Sequence, residues 1–449
     1  MKSKQMKNSN GMLVTLVNLI DRRFVGSLGQ EFAKASLVRD GDEVILKASR
    51  SVGIPARVSC QKLDGEVRFI IGHTIDEIGK AWNQGLTANT KVKPFHPSYT
   101  EMWPAWHEVD IPSHNMRDRT YTWLLAGPAY ARYQETDQLP AEVKIVGKKY
   151  IAAVVEACRS HLVSISDDEP IAVSLSGGMD SSGVLAVLLY VLEKEDRSNP
   201  VHTFTLAIDG GGSDLAQARQ VIGLLRPRFG HRLVHHEIAV NASEVDHAEL
   251  VRRTAFMVED YRVLDFGAAM AGVVLNDAIG RMYTKGELPA IHHAFDGDGG
   301  NEVFLDYPLN HWSHRAIALC DIHENPYLFL LGDDRKKLTF NPVYSAGMSR
   351  GYVRSFAVAR HYGVMPHSPL IDPRVIDVGA RMPMRELAPT EEKLHELRGM
   401  AVQAGVQELV GVRLPIFPKA YFQEGCTENK GLLSVTAEES RGLKRLILG

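Results

Sequence analysis

The sequence is short of cysteine, of net charge and of long apolar runs, and each shortage removes a class of protein. Its four cysteines, Cys60, Cys158, Cys320 and Cys426, lie far apart in 449 residues with no Cys-x-x-Cys pair. That excludes a disulfide-built scaffold, argues against structural zinc and fits a reducing compartment, so the expected location is the cytoplasm. Lys and Arg number 51 against 54 Asp and Glu, a net charge of −3. A nucleic-acid partner would ask for a basic excess, so none is expected. No apolar run has the ~20 residues needed to span a bilayer, and no membrane role is expected either. One segment has the outline of a leader, the run Met12–Ile20 behind Lys2, Lys4 and Lys7. Thr15 and Asn18 interrupt it, Asp21-Arg22-Arg23 follows it, and no small-residue cleavage site is evident, so it reads as a buried strand. His235-His236 and His292-His293 are the only dense histidine clusters. Adjacent residues of a strand point to opposite faces, so neither pair makes a two-ligand metal site.

What is present divides in two. A chain of 449 residues exceeds one ordinary core, and two to three domains are expected. Leu13–Leu19, Ala35–Val38, Glu43–Ala48, Ala56–Cys60 and Val67–Ile71 are short strand-like runs separated by Asp-Gly and Gly-Ile-Pro turns, which predicts an antiparallel β-rich unit with a few helices. Pro94, Pro97, Pro104 and Pro112, among aromatics, mark an irregular connection. From Leu139 apolar residues recur at helical spacing (Val143, Val146, Tyr150, Ile151, Val154). The expected domains are 1–138 and 139–449.

The second unit is organised around Ile171–Val184. An apolar run stops at Ser176-Gly177-Gly178 and resumes with helical periodicity through Val184, Leu185, Leu188 and Val191, which reads as buried strand, tight loop and helix. The two glycines let backbone approach a ligand closely. The hydroxyls of Ser176, Ser181 and Ser182 and the free N–H groups of the helix start make an anion site, with phosphate its natural occupant. A carboxylate at Asp180 would repel a polyphosphate unless a divalent cation lay between, so the reading is nucleotide plus Mg²⁺. An ordinary Gly-Ser turn before a helix is the plainer alternative. No Gly-Lys-Ser/Thr follows at Walker spacing. Val201–Ile208 and Leu233–Val240 read as further strands with a helix, Asp214–Leu225, between them. Alternating strands and helices predict an α/β doubly wound parallel sheet, with its ligand at strand carboxyl ends near a topological switch. Beyond Glu249 the chain reads as mostly helical, broken at Ala294–Tyr307 by a turn rich in Asp and Gly. Near the end Lys419 follows Phe417-Pro418, an apolar setting in which a lysine needs a counter-charge, although a surface lysine is the commoner explanation.

The Ser-Gly-Gly-x-Asp-Ser string resembles the PP-loop of ATP pyrophosphatases (adenine nucleotide α-hydrolase-like enzymes). Taken with Gly297-x-Gly299-x-x-Glu302, with Gly363-Val-Met-Pro-His-Ser-Pro-Leu-Ile-Asp372 and with Pro418-Lys419-x-x-x-x-Glu424-Gly425, it resembles the synthetase domain of the asparagine synthetase, β-lactam synthetase and carbapenam synthetase family, over roughly two thirds of the chain. The resemblance implies a β-rich, glutaminase-like (Ntn-hydrolase-like α+β) domain ahead of the synthetase domain. It implies ATP and Mg²⁺, a small-molecule carboxylate that is adenylated, and an amine or ammonia that takes the acyl group. Ser174, Ser176, Gly177, Gly178, Ser181, Ser182 and Gly297 would line the nucleotide, and Leu206 and its strand would hold adenine. Asp180, Asp298 and Asn301 would face the metal. Asp298, where relatives carry a Glu or Tyr, would activate the amine. Lys419 would stabilise the leaving pyrophosphate, and Glu302 completes the catalytic set. There are two departures from the pattern. Asn301 stands where a second metal-binding Asp is expected. The chain opens Met1-Lys2-Ser3, without the N-terminal cysteine of a class II glutaminase, so a glutaminase-dead domain and a role in specialised metabolism are expected. A catalytically silent ATP-binding or regulatory protein, and a PP-loop enzyme acting on RNA, are the competing readings. A homo-oligomer is compatible with the sequence.

Overall fold

The fold is described from a computed structural model. It describes residues 2–7, 9, 11–19, 33–50, 57–63, 65–72, 75–81, 92–94, 101–104, 139–258, 263–304, 330–334, 337–340, 357–390, 393–418, 422–428, 431–436 and 439. The boundary expected at 138 adjoins 105–138, outside the described residues, as does most of the proline-rich connection.

In the amino-terminal part eight strands are described: β1 (Lys2–Lys7), β2 (Leu13–Asn18), β3 (Ala33–Asp40), β4 (Glu43–Arg50), β5 (Arg57–Leu63), β6 (Glu66–Gly72), β7 (Val92–Pro94) and β8 (Glu101–Pro104), with one helix, α1 (Ile75–Ala81). They form two sheets, ordered β1-β2-β6-β5-β7 and β3-β4-β8. The segment Leu13–Asn18, with its leader-like outline, is an interior strand of the first sheet. Val14 and Leu16 pack with Val67 and Phe69 in a small core that also takes Leu37, Val44 and Leu46 from the second. The expected antiparallel pairing holds along most edges, but β2 and β6 run parallel. Parallel neighbours need a crossover rather than a hairpin, and here β3, β4 and β5 intervene in the chain.

The rest of the chain is built on a five-stranded sheet of β9 (Ile171–Ser174), β10 (Val201–Ile208), β11 (Leu233–Val240), β12 (His293–Phe295) and, beyond a hairpin of β13 (Leu330–Asp334) and β14 (Lys337–Phe340), β15 (Met365–His367). The order is β11-β10-β9-β12-β15, and every pair is parallel. β10, Val-His-Thr-Phe-Thr-Leu-Ala-Ile, is buried along its whole length, as a parallel strand covered on both faces must be. The covering helices are α2 (Val143–Leu162), α3 (Met179–Lys194), α4 (Ser213–Phe229), α5 (His247–Val258), α6 (Val263–Thr284) and α7 (Leu394–Leu409). One core joins α2, α3, α4 and α7 to Val173, Leu175 and Phe295; a second joins α5 and α6 to Phe204, Leu206, Ile208, Ile238 and Val240. The sheet is therefore doubly wound. α2 and α7 touch backbone to backbone: a Cβ on Gly147 would collide with the Ala401 carbonyl oxygen, and one on Gly405 with the carbonyl of Gly147.

From β9 the chain winds outward through β10 and β11, then returns to place β12 on the other side of β9. The direction of winding reverses between β9 and β12, and that is where a doubly wound sheet leaves a crevice at its carboxyl edge. β15 was not visible in the helical reading of the carboxyl-terminal part. It is three residues long and contains Pro366, which the end position in the sheet tolerates.

Three imidazoles run through the first core. Nδ1 of His293 and Nε2 of His367 are hydrogen-bonded at 2.9 Å, and Nδ1 of His367 and Nδ1 of His161 at 3.2 Å. Burial pushes the His161 pKa down to about 4 and lowers His293 and His367 below the ordinary value as well. The unfolded chain thus takes up these protons first. Stability is unaffected by them above about pH 6.5 and falls as the pH drops towards 4, with roughly 3 kcal/mol lost through His161 alone. Urea unfolding at pH 7, 5.5 and 4.5 is expected to show this slope, and H161L to flatten it. An unchanged slope in that variant would remove His161 from the account.

Candidate active site

The loop after β9 is built before any ligand arrives. Leu175 N–H donates to Phe204 O at 2.9 Å and Thr205 Oγ1 donates to Leu175 O at 2.6 Å, which anchors the chain to β10 as it leaves the sheet. Gly177 then turns with φ +76°, a conformation that disfavours any side chain. A Cβ there would also lie 2.5 Å from the Ala218 nitrogen of α4. Gly178 N–H donates to Ser176 Oγ at 3.2 Å, and the hydroxyls of Ser176 and Ser181 lie 3.2 Å apart. α3 begins at Met179 with no side-chain cap, so the N–H groups of its first turn face the cleft with the Ser176 and Ser181 hydroxyls beside them. Ser182 is buried, and its hydroxyl has no hydrogen-bond partner among the described residues.

The acidic turn after β12 meets this loop. Asp296 N–H donates to His367 O at 3.0 Å; its carboxylate accepts from Asp298 N–H at 3.0 Å and from the Ser368 hydroxyl at 2.9 Å. Asp296 is thereby committed to shaping the turn and tying it to β15. Gly297 lies so close to α3 that a Cβ would stand 2.7 Å from Ser181 N. Between loop and turn opens a cleft of about 270 Å³, lined by Ser174, Ser176, Gly178, Asp180 and Ser181 on one side and by Gly297, Asp298 and Asn301 on the other. Phe204 and Leu206 line its β10 wall, and Phe417 and Pro418 close another side. The volume is near the lower end of pockets that hold small ligands. The structure thus brings the loop residues, Leu206, Gly297, Asp298 and Asn301 to one place. Glu302 lies in the short helix Gly300–Val303, but its side chain, and Lys419 altogether, fall outside the described residues.

Two charged cleft residues, Asp214 and Arg398, escaped the sequence reading. Asp214, in the first turn of α4, is 5% exposed, and one of its carboxylate oxygens has no hydrogen-bond partner among the described residues. Burial pushes its pKa up to about 7. Arg398, on α7, is 4% exposed. Its Nη1 donates to Asp180 Oδ2 at 2.8 Å and also to Asn301 Oδ1, and Nη2 lies 3.2 Å from His395 Nδ1. The signal for it was in α7 itself: Leu394, Leu397, Ala401 and Gly405 are buried, and residue 398 falls on that same stripe. A charge on an apolar stripe asks for a partner.

Mg²⁺ is the metal expected on Asp180, Asn301 and Asp298. The oxygens of Asp180 and Asn301 are instead joined through one guanidinium, and Asp296 is occupied by the turn. Among the described residues no group of three His, Cys, Asp or Glu is arranged to hold a metal. The donor set at Asp180 and Asn301 does not fit a metal ion as it stands. The histidine pairs serve the core: His236 bonds His202 at 3.0 Å and His235 bonds Thr203 at 2.9 Å. No helix of the described residues is long and apolar enough to cross a membrane.

Comparison with known proteins agrees with this geometry. Among curated proteins the chain is 26% identical over 238 residues to asparagine synthetase B [glutamine-hydrolyzing] of Escherichia coli, a match covering 51% of this chain and 36% of that protein. It is 26% identical over 234 residues to the bovine asparagine synthetase, covering 50% and 37%. An Arabidopsis thaliana asparagine synthetase is 29% identical over 161 residues, covering 35% and 25%. The chain thus spans about a third of the length of the curated relatives it matches. Among solved structures, an NAD+ synthetase from Burkholderia pseudomallei aligns with 63% of this chain and 91% of its own, at 15% identity and a TM-score of 0.24, too low to say more. Residues 149–364 match the model of the asparagine synthase family. That segment carries β9 with its Ser-Gly-Gly loop and β12 with its acidic turn, the two sides of the cleft, and it is in this segment that the chain is similar to the asparagine synthase family.

Proposed function

We propose that the cleft is the active site of an ATP-dependent, AMP-forming ligase that makes an amide bond. A substrate carboxylate oxygen attacks the α-phosphorus of ATP, the bond to the β-phosphate breaks, and pyrophosphate leaves. The amine or ammonia nitrogen then attacks the acyl carbon. The tetrahedral intermediate collapses with cleavage of the bond to AMP, and the nitrogen loses its extra proton. Ser174, Ser176, Gly177, Gly178, Ser181 and Ser182, with the start of α3, take the phosphates; Leu206 and Phe204 take the base. Asp298, on the opposite wall, accepts the proton, and Lys419 meets the charge on pyrophosphate, with Glu302 completing the set. The enzyme's contribution is positioning and charge stabilisation, since adenylation itself supplies the leaving group. The observation that carries this reading is the meeting of an anion-directed loop and a carboxylate-bearing turn at the switch point of the sheet.

One observation favours a second reading, nucleotide binding without turnover: the carboxylate of Asp180 is already held by Arg398. Product analysis separates the two. The whole chain is incubated with Mg-ATP and a panel of small carboxylates, with ammonium, with glutamine and with neither, and the products are followed by pyrophosphate exchange and mass. Substrate-dependent AMP and pyrophosphate are expected. ADP would overturn adenylation, and bound ATP that no carboxylate turns over would establish the silent binder.

A further inference from the structure

Arg398 enters the cleft from α7, whose side of the fold is separated from Asp180 by more than two hundred residues of sequence. Its side chain is 5% exposed, and that of Asp180 is 18% exposed. Taking a guanidinium this far out of water is costly unless charge and hydrogen bonds are returned to it. Here one nitrogen serves both walls of the cleft, donating to Asp180 beside the loop and to Asn301 on the turn. Asp180 brings one negative charge, the Asn301 amide none, and the guanidinium one positive. A divalent ion on those same two oxygens would sit within a few ångströms of a fixed cation, and the Asn301 amide brings no charge to offset the repulsion.

We propose that the Arg398 guanidinium is the resident counter-cation of this site, standing between Asp180 and Asn301 where a divalent ion would bind if both side chains were carboxylates. Nucleotide then enters with only the metal that its own phosphates chelate. The inference rests on the nucleotide reading above. A guanidinium also suits the task, because it stays charged at any physiological pH and no chelator removes it.

The test counts metal rather than turnover. Whole protein is titrated with Mn²⁺ beside α,β-methylene-ATP, which cannot be cleaved at the α–β bridge, and bound Mn²⁺ is measured by the loss of the free-ion resonance. Nucleotide binding is followed separately by calorimetry. One Mn²⁺ per chain with nucleotide, and none without it, is expected; two with nucleotide would overturn the proposal. The paired variant R398M/N301D, which removes the guanidinium and restores a second carboxylate, is expected to take up one more Mn²⁺ than the native chain. A count that stays at one in the folded variant would also overturn it. Should the variant not fold, the native count still decides. Failure of the analogue to bind at all removes the nucleotide reading and this proposal together, whereas binding with two Mn²⁺ removes the arginine alone.

Discussion

Gly177→Ala is expected to lower AMP formation at least ~100-fold while the chain still folds. Two penalties coincide at this position. Its φ of +76° puts an L side chain in a region that costs about 1–2 kcal/mol. The added methyl would lie 2.5 Å from Ala218 N and 2.6 Å from Gln217 Cβ, both on α4. α4 is fixed by Ala218, Val221, Ile222 and Leu225 in the first core, so the loop must yield, not the helix. A displacement approaching 1 Å of donors that position reacting groups is enough for a loss of about two orders of magnitude. Far-ultraviolet circular dichroism should be unchanged, and the loss should appear in kcat/KM for ATP. A variant retaining more than a tenth of native kcat/KM would show that the loop does not hold the phosphates.

Asp180→Ala is expected to cost stability as well as activity, about 3–5 kcal/mol, because it leaves the Arg398 charge buried without its carboxylate. In a unit of this size that corresponds to a fall of roughly 10 °C in Tm. Asp180→Ala/Arg398→Met removes both charges and is expected to regain most of the lost Tm while remaining inactive. A single variant as stable as the native protein would mean that the pair is not held together as described. The contrast with Gly177→Ala is useful, since one substitution strikes the ligand and the other strikes the scaffold that presents it.

The parts of the fold that could be read from sequence are those with local causes. Val201–Ile208 and Leu233–Val240 have the bounds that their apolar runs predicted, and the loop after Ile171–Ser174 lies between strand and helix as its glycines required. The acidic turn was legible as Asp and Gly after a short apolar run, but not its destination, because only the order of the strands brings β12 beside β9. Arg398 was missed for the same reason in sharper form. Its meaning depends on Asp180 and Asn301, at the ends of two other elements, and nothing within its own helix names them. The parallel pairing of β2 with β6 was likewise invisible, since the strand-like runs carry no record of which neighbour they meet.

The contact of α2 with α7 through Gly147 and Gly405 sets a distance as well as a seam. Gly405 stands two helical turns, about 10 Å, from Arg398 on the same helix. With no side chain between the two backbones, α7 lies as deep as a helix can lie, and the guanidinium reaches Asp180 from there. A methyl at either glycine would force α7 away from α2 and carry the guanidinium with it. The depth of the cation is thus a property inherited from two residues that never touch it. Descendants of this chain that lost one of them would be expected to change residue 398, or the pair it joins, at the same time.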